Sequence, residues 1–160
     1  MGGRWYEPCG SDTSGVPPED YKLGKTCGYS CMKQKVQKET QITEITRACT
    51  RDDFSKSFYT DNTFEAMATY NVQRELVFTY DGPLNLRKKL CKAKVNATNV
   101  LYTFAAVNID KEDGNGSCGF GPFPRLNLLK NLAEFFAFNY SSPSKVSDCM
   151  KVSYKPKKRG

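Results

Sequence analysis

Between residues 41 and 109 the apolar and polar positions repeat with a period of two more often than 3.6, the mark of half-buried strands. Gln41 to Cys49 carries β-branched residues with partial alternation. Phe64 to Val72 alternates well, with Phe64, Ala66, Ala68 and Tyr70 or their neighbours on one face. Leu76-Val77-Phe78-Thr79-Tyr80 is a short apolar run closed by the turn signal Asp81-Gly82-Pro83. Leu90 to Val95 alternates strictly, with Lys92 and Lys94 outward. Asn99 to Ile109 is rich in Val, Tyr, Thr and Phe, and ends in the loop Asp110 to Gly116. Short strands separated by such turns predict a mainly β domain, an antiparallel barrel or sandwich.

The period changes after Gly119-Phe120-Gly121-Pro122-Phe123-Pro124. Leu128, Leu129, Leu132, Phe135 and Phe136 share one helical face, while Asn127, Lys130, Asn131 and Glu134 take the other. This spacing predicts one C-terminal amphipathic helix that ends near Phe138 to Tyr140 and packs its aromatic face on the sheet. Cys149 to Tyr154 reads as a returning strand, and residues 155–160 as a solvated basic tail. At the other end, residues 1–25 form an extended, turn-rich arm, because Pro17-Pro18 stops a helix and supplies no ladder donors. The expected organisation is a single domain over 1–154.

Composition adds compartment and removes chemistry. At 160 residues one domain is the natural expectation. The cysteines Cys9, Cys27, Cys31, Cys49, Cys91, Cys118 and Cys149 are spread along the chain, as in a disulfide framework formed in an oxidising compartment. Their odd number leaves one thiol over and the pairing open. Asn96-Ala97-Thr98, Asn115-Gly116-Ser117 and Asn139-Tyr140-Ser141 are glycosylation sequons. Together these features predict a secreted, extracellular glycoprotein.

No apolar run resembles a signal peptide or a membrane span, so Met1 reads as a start methionine added before a mature domain. Tyr6 stands where a myristoylation motif needs Ser or Thr. The chain has no histidine, which excludes Ser-His-Asp and Cys-His nucleophiles and imidazole proton transfer. Cys27 and Cys31 are the only closely spaced cysteines, so no metal and no cofactor are expected. Asp52-Asp53 and Glu112-Asp113 are adjacent carboxylates. Neighbours diverge in a strand and are usually solvated in a loop, so neither pair makes an active site and no enzyme is expected.

Gly3-Arg4-Trp5-Tyr6-Glu7 resembles the signature that opens the first strand of lipocalins. In that family an arginine from the last barrel strand packs over the tryptophan, and Arg125, just after the predicted strands and just before the amphipathic helix, lies close to that place in the order. A helix and a near-terminal cysteine follow, as Phe123 through Cys149 do here. The family's second motif is absent, since Tyr59-Thr60-Asp61-Asn62 comes too early and lacks its tyrosine. The combination of extra cysteines, sequons and a lysine-rich tail is similar to salivary proteins of blood-feeding arthropods, which implies ligand sequestration or immune modulation.

The resemblance implies a calyx for a small apolar or amine mediator. Its lining residues would be Phe64, Met67, Tyr70, Phe78, Tyr80, Tyr102 and Phe104, with Glu65 or Glu75 available for an amine; the plainer reading is that these side chains fill a core. The charge is +7, from 24 basic and 17 acidic side chains. Arg87, Lys88, Lys92 and Lys94 form a candidate face for an anionic partner such as a sulfated glycan, or else a solvated strand. Nucleic acid is not expected. A second function is a protein-binding inhibitor or immune modulator acting on a host protease, complement component, cytokine or receptor. The two functions differ structurally, because a calyx needs an open aromatic cavity and a surface binder shows a filled core with an exposed patch.

Overall fold

A hairpin organises the first half of the computed structural model, which describes residues 1–6, 21–24, 42–100 and 103–156. β4 (Ala66–Asn71) and β5 (Leu76–Tyr80) are joined by the turn at 72–75. There Asn71 Oδ1 accepts the Arg74 N–H at 2.9 Å, and Glu75 takes a left-handed φ of 55°. β1 (Gly3–Tyr6) adds to the free side of β5, and β2 (Ile42–Thr43) adds to β1. β3 (Tyr59–Asp61) borders β4. The result is an open antiparallel sheet of order β2-β1-β5-β4-β3.

Register decides what each face carries. Trp5 lies opposite Phe78, Thr69 opposite Phe78 on the other side, and Met67 opposite Tyr80, so these residues share one face. Two short helices, α1 (Thr46–Cys49) and α2 (Asp52–Ser55), supply its cover. The buried Phe54 ring meets Trp5 edge-on at 4.8 Å, the Thr69 hydroxyl donates to Phe54 O, and Asn71 Nδ2 donates to Asp53 O at 2.9 Å. A Cβ on Gly3 would collide with the Phe78 ring, so only glycine fits there. The opposite face carries Tyr70, Ala68 and Val77. Buried Tyr21 packs on Tyr70 at 5.6 Å, and its hydroxyl donates to Val72 O.

Residues 81–160 with Met1 make one compact unit and residues 2–80 another. The first of these is helical. α3 (Pro83–Asn96) begins on Gly82-Pro83, with proline in the first turn where its missing N–H costs nothing. α4 (Pro124–Phe138) also opens on a proline, and α5 (Val146–Cys149) follows a short 3-10 turn at Pro143–Lys145. Their core is Cys91, Leu128, Leu132, Phe136, Tyr140 and Cys149, flanked by Leu86, Leu90, Phe104, Phe135 and Val146. Cys91 and Cys149 are disulfide-bonded, with Cα atoms 5.9 Å apart. Cys49 also takes part in a disulfide, and in the helical unit Cys118 takes part in one too.

The expectation of a mainly β barrel or sandwich is corrected by this architecture. The sheet is open, and among the described residues helix exceeds strand. Leu90 to Val95 belongs to α3, residues 103–108 form no strand, and Cys149 to Tyr154 leaves α5 as a turn. The hairpin strands and α4 lie where the pattern placed them. No helix among the described residues is long and apolar enough to cross a membrane.

Candidate functional site

Of the residues expected to line a calyx, the described ones fall on both faces of the sheet, in the turn before β4 and in the helical unit. Phe78 and Tyr80 are buried in the sheet core, with Phe78 against Trp5 at 4.7 Å and Tyr80 against Phe58 at 6.3 Å. Met67 shares their face, whereas Tyr70 points through the opposite one. Phe64 is exposed in the turn before β4, where its ring lies against Gly24. Phe104 belongs to the helical unit and packs on Phe136 at 5.7 Å. Tyr102, Cys9, Cys27 and Cys31 lie outside the described residues. Glu65 and Glu75 both occupy left-handed turn positions.

The basic candidates are divided by helical geometry. Arg87, Cys91 and Lys94 fall at i, i+4 and i+7, the inward stripe of α3, while Lys88 and Lys92 lie on another. Arg87 donates to Val152 O at 2.8 Å, and burial lowers its guanidinium pKa below the ordinary value. Lys94 is 3% exposed. Its ammonium donates to the carbonyls of Ala97, Thr98 and Val100 at 3.3, 3.1 and 2.9 Å, and lies 5.7 Å from the Phe136 ring centre. The outward lysine face expected from strict alternation is therefore corrected for Lys94.

A feature that sequence reasoning set aside is built around Glu112 and Asp113. Both are buried, not solvated. Glu112 accepts the Arg125 backbone N–H at 2.9 Å and its Nε at 2.7 Å, an ion pair almost wholly removed from solvent. The Arg125 guanidinium also reaches the carbonyls of Asp81 and Met1. Trp5 has Phe54 and Phe78 as ring partners. Asp113 accepts the backbone N–H groups of Ser117 and Cys118, each at 2.9 Å, and its own carbonyl accepts the Phe123 N–H at 2.8 Å. With their oxygens so engaged, the two carboxylates brace a loop.

That loop runs from 107 to 123 and is tight throughout. A Cβ on Gly116 would come within 2.7 Å of the Gly121 backbone, so the two arms touch. Asn108 and Phe123 hold left-handed φ values of 52° and 50°, a conformation that asparagine adopts readily but that costs Phe123 roughly 1–3 kcal/mol, which its surroundings must offset. Cys118 adds a covalent tie. Lys111 pairs with Asp110 at 2.8 Å and holds that carboxyl below its ordinary pKa. On this rigid frame large apolar side chains face solvent: Val107 is 68% exposed, Ile109 56% and Phe123 47%.

The chain matches no protein-family model, no curated protein and no solved structure. Functional assignment consequently rests on its own chemistry. Among the described residues no group of three or more Cys, Asp or Glu side chains is placed to hold a metal ion. The signal for the braced loop was present in the glycines at 114, 116, 119 and 121 and in the acidic pair ahead of them. Only the fold shows that Arg125 returns to meet Glu112.

Proposed function

We propose that this protein is a secreted binding protein that engages an extracellular protein through the loop 107–123. The observation that carries this reading is the combination of exposed Val107, Ile109 and Phe123 with a backbone held by Glu112, Arg125 and Asp113. Apolar side chains exposed together mark contact surfaces more often than chance solvation. A loop ordered in advance loses little conformational freedom on docking, so more of the contact energy appears as affinity. The disulfides fit an oxidising, extracellular setting. The partner class is a host extracellular protein with an apolar depression, such as a protease, complement component, cytokine or receptor. The filled sheet core favours this surface reading over sequestration of a small mediator.

A photo-crosslinking residue placed at Ile109 tests it in extracellular fluid, with the same residue at exposed Lys130 as the control. The expected result is a saturable adduct from position 109 that excess unmodified protein suppresses. It should weaken at least tenfold when Phe123 is replaced by Ser. Indistinguishable adducts from positions 109 and 130 would sink the proposal. A small molecule retained in native mass spectrometry would restore the sequestration reading.

A further inference from the structure

A groove on the helical unit lies between the outer face of α4 and the segment that follows α5. It is lined by Asn131, Glu134, Phe135, Phe138, Asn139, Val152 and Ser153, with a volume of about 390 Å³. That volume falls within the roughly 300–1,000 Å³ of small-ligand sites. Both walls are fixed. Asn131 Nδ2 donates to the carbonyls of Ser153 and Lys155 at 2.8 and 3.1 Å, and Arg87 holds Val152 O from the other side. Phe138 is 83% exposed at the groove, the largest exposure among the described large hydrophobic side chains. A phenyl ring left so open leaves its apolar face free to gain from any group laid against it.

Asn139 supplies the means of covering it. It is exposed, it forms part of the groove wall, and it begins the sequon Asn139-Tyr140-Ser141. We infer that Asn139 carries an N-glycan whose innermost sugar folds back into this groove and lies against Phe138. In the transfer the Asn139 amide nitrogen attacks C1 of a lipid-diphosphate-linked oligosaccharide. A C–N bond forms, the C1–O bond to phosphate breaks, the amide loses one proton, and lipid diphosphate departs. Groove chemistry suits the occupant. Phe138 and Phe135 offer aromatic faces to the axial C–H groups of a pyranose, while the Ser153 hydroxyl at the opposite wall offers a donor to its hydroxyl and N-acetyl groups. The other sequons differ in setting. Asn96 ends α3 next to Val95, and Asn115 lies between Gly114 and Gly116, so neither follows an aromatic residue along the chain as Asn139 does, and neither lines this groove. Tethering at the rim removes most of the entropy of association, so a weak sugar–ring contact suffices.

The inference uses a different surface from the loop 107–123 and stands or falls separately. The full chain is produced in a eukaryotic secretory host and trimmed enzymatically to single N-acetylglucosamine stubs. Mass spectrometry is expected to find Asn139 occupied, and NMR to find nuclear Overhauser contacts between the Asn139 stub's N-acetyl methyl and the Phe138 ring. Ser141→Ala removes the sequon without touching the groove wall. It should raise the fluorescence of an apolar dye several-fold over the trimmed wild type. In Phe138→Ala, which keeps the sequon, stub removal should no longer change dye binding. An unoccupied Asn139 would overturn the inference, and so would an occupied one with no Overhauser contact and unchanged dye binding.

Discussion

Lys94 shows how far one side chain departs from its sequence pattern. Its ammonium caps the C-terminal carbonyls after α3 and faces the Phe136 and Tyr140 rings, where a cation complements the helix dipole and the ring quadrupoles. Lys94→Ala removes three hydrogen bonds to part-buried carbonyls and opens a void beside the Phe136 and Tyr140 rings, a loss of about 2–4 kcal/mol in urea unfolding. Lys92→Ala, on an exposed position of the same helix, should change stability by less than about 0.5 kcal/mol. Equal effects would mean that the ammonium is solvated. Asp53 gives a pH-dependent counterpart. Its bond from Arg51, strengthened by Arg74, lowers its pKa from the ordinary 3.8. The stabilisation is therefore complete above 3.8 and fades as the pH falls through the lower folded value. Arg51→Gln should bring the Asp53 carboxyl midpoint, followed by carbon NMR, back toward 3.8. An unmoved midpoint would show that Arg51 is not the main cause.

At the level of elements, local pattern and long-range packing account for different things. β4 and β5 were legible because alternation and the Asn71 turn agree, and α4 because Leu128, Leu132 and Phe136 repeat every four residues. α3 was not, because Leu90 to Val95 reads as period two when its six residues are taken alone. Over 83–96 the Gly82-Pro83 signal starts the helix, while Arg87, Cys91 and Lys94 make its inward stripe. The braced loop was invisible for a different reason: Glu112 meets Arg125 only because α4 begins beside it. Breaking that pair with Glu112→Gln leaves a buried guanidinium without its counter-charge, and should cost about 3–5 kcal/mol in chemical unfolding. A loss below about 1 kcal/mol would show that water reaches Arg125. The α3 lysines make a separate prediction about anionic glycans. Neutralising Lys88 and Lys92 should lower the salt needed to elute the protein from heparin. Elution unchanged by that double substitution would remove the glycan as a partner.

Over the whole molecule, each compact unit carries its own core and a reporter specific to it. The single tryptophan, Trp5, is packed between Phe54 and Phe78, so its emission follows the sheet. Among the described residues most of the helix lies in α3 and α4, which share the core around Cys91 and Cys149. The bridge between those cysteines spans 58 residues, and closing a loop of that length restricts the unfolded chain by about 4 kcal/mol. Replacing both cysteines by Ser should thus move the helical dichroism transition to markedly lower urea. Trp5 emission should keep its midpoint, because neither the bridge nor its loop includes any residue of the sheet. Two separated transitions in the variant would then follow from one covalent change, and the low-urea intermediate would retain the Trp5–Phe78 core. If both probes shifted together by the same amount, the two cores would unfold as one cooperative system. In that case strain on the braced loop would reach the sheet, and substitutions at Glu112 would also move the Trp5 transition.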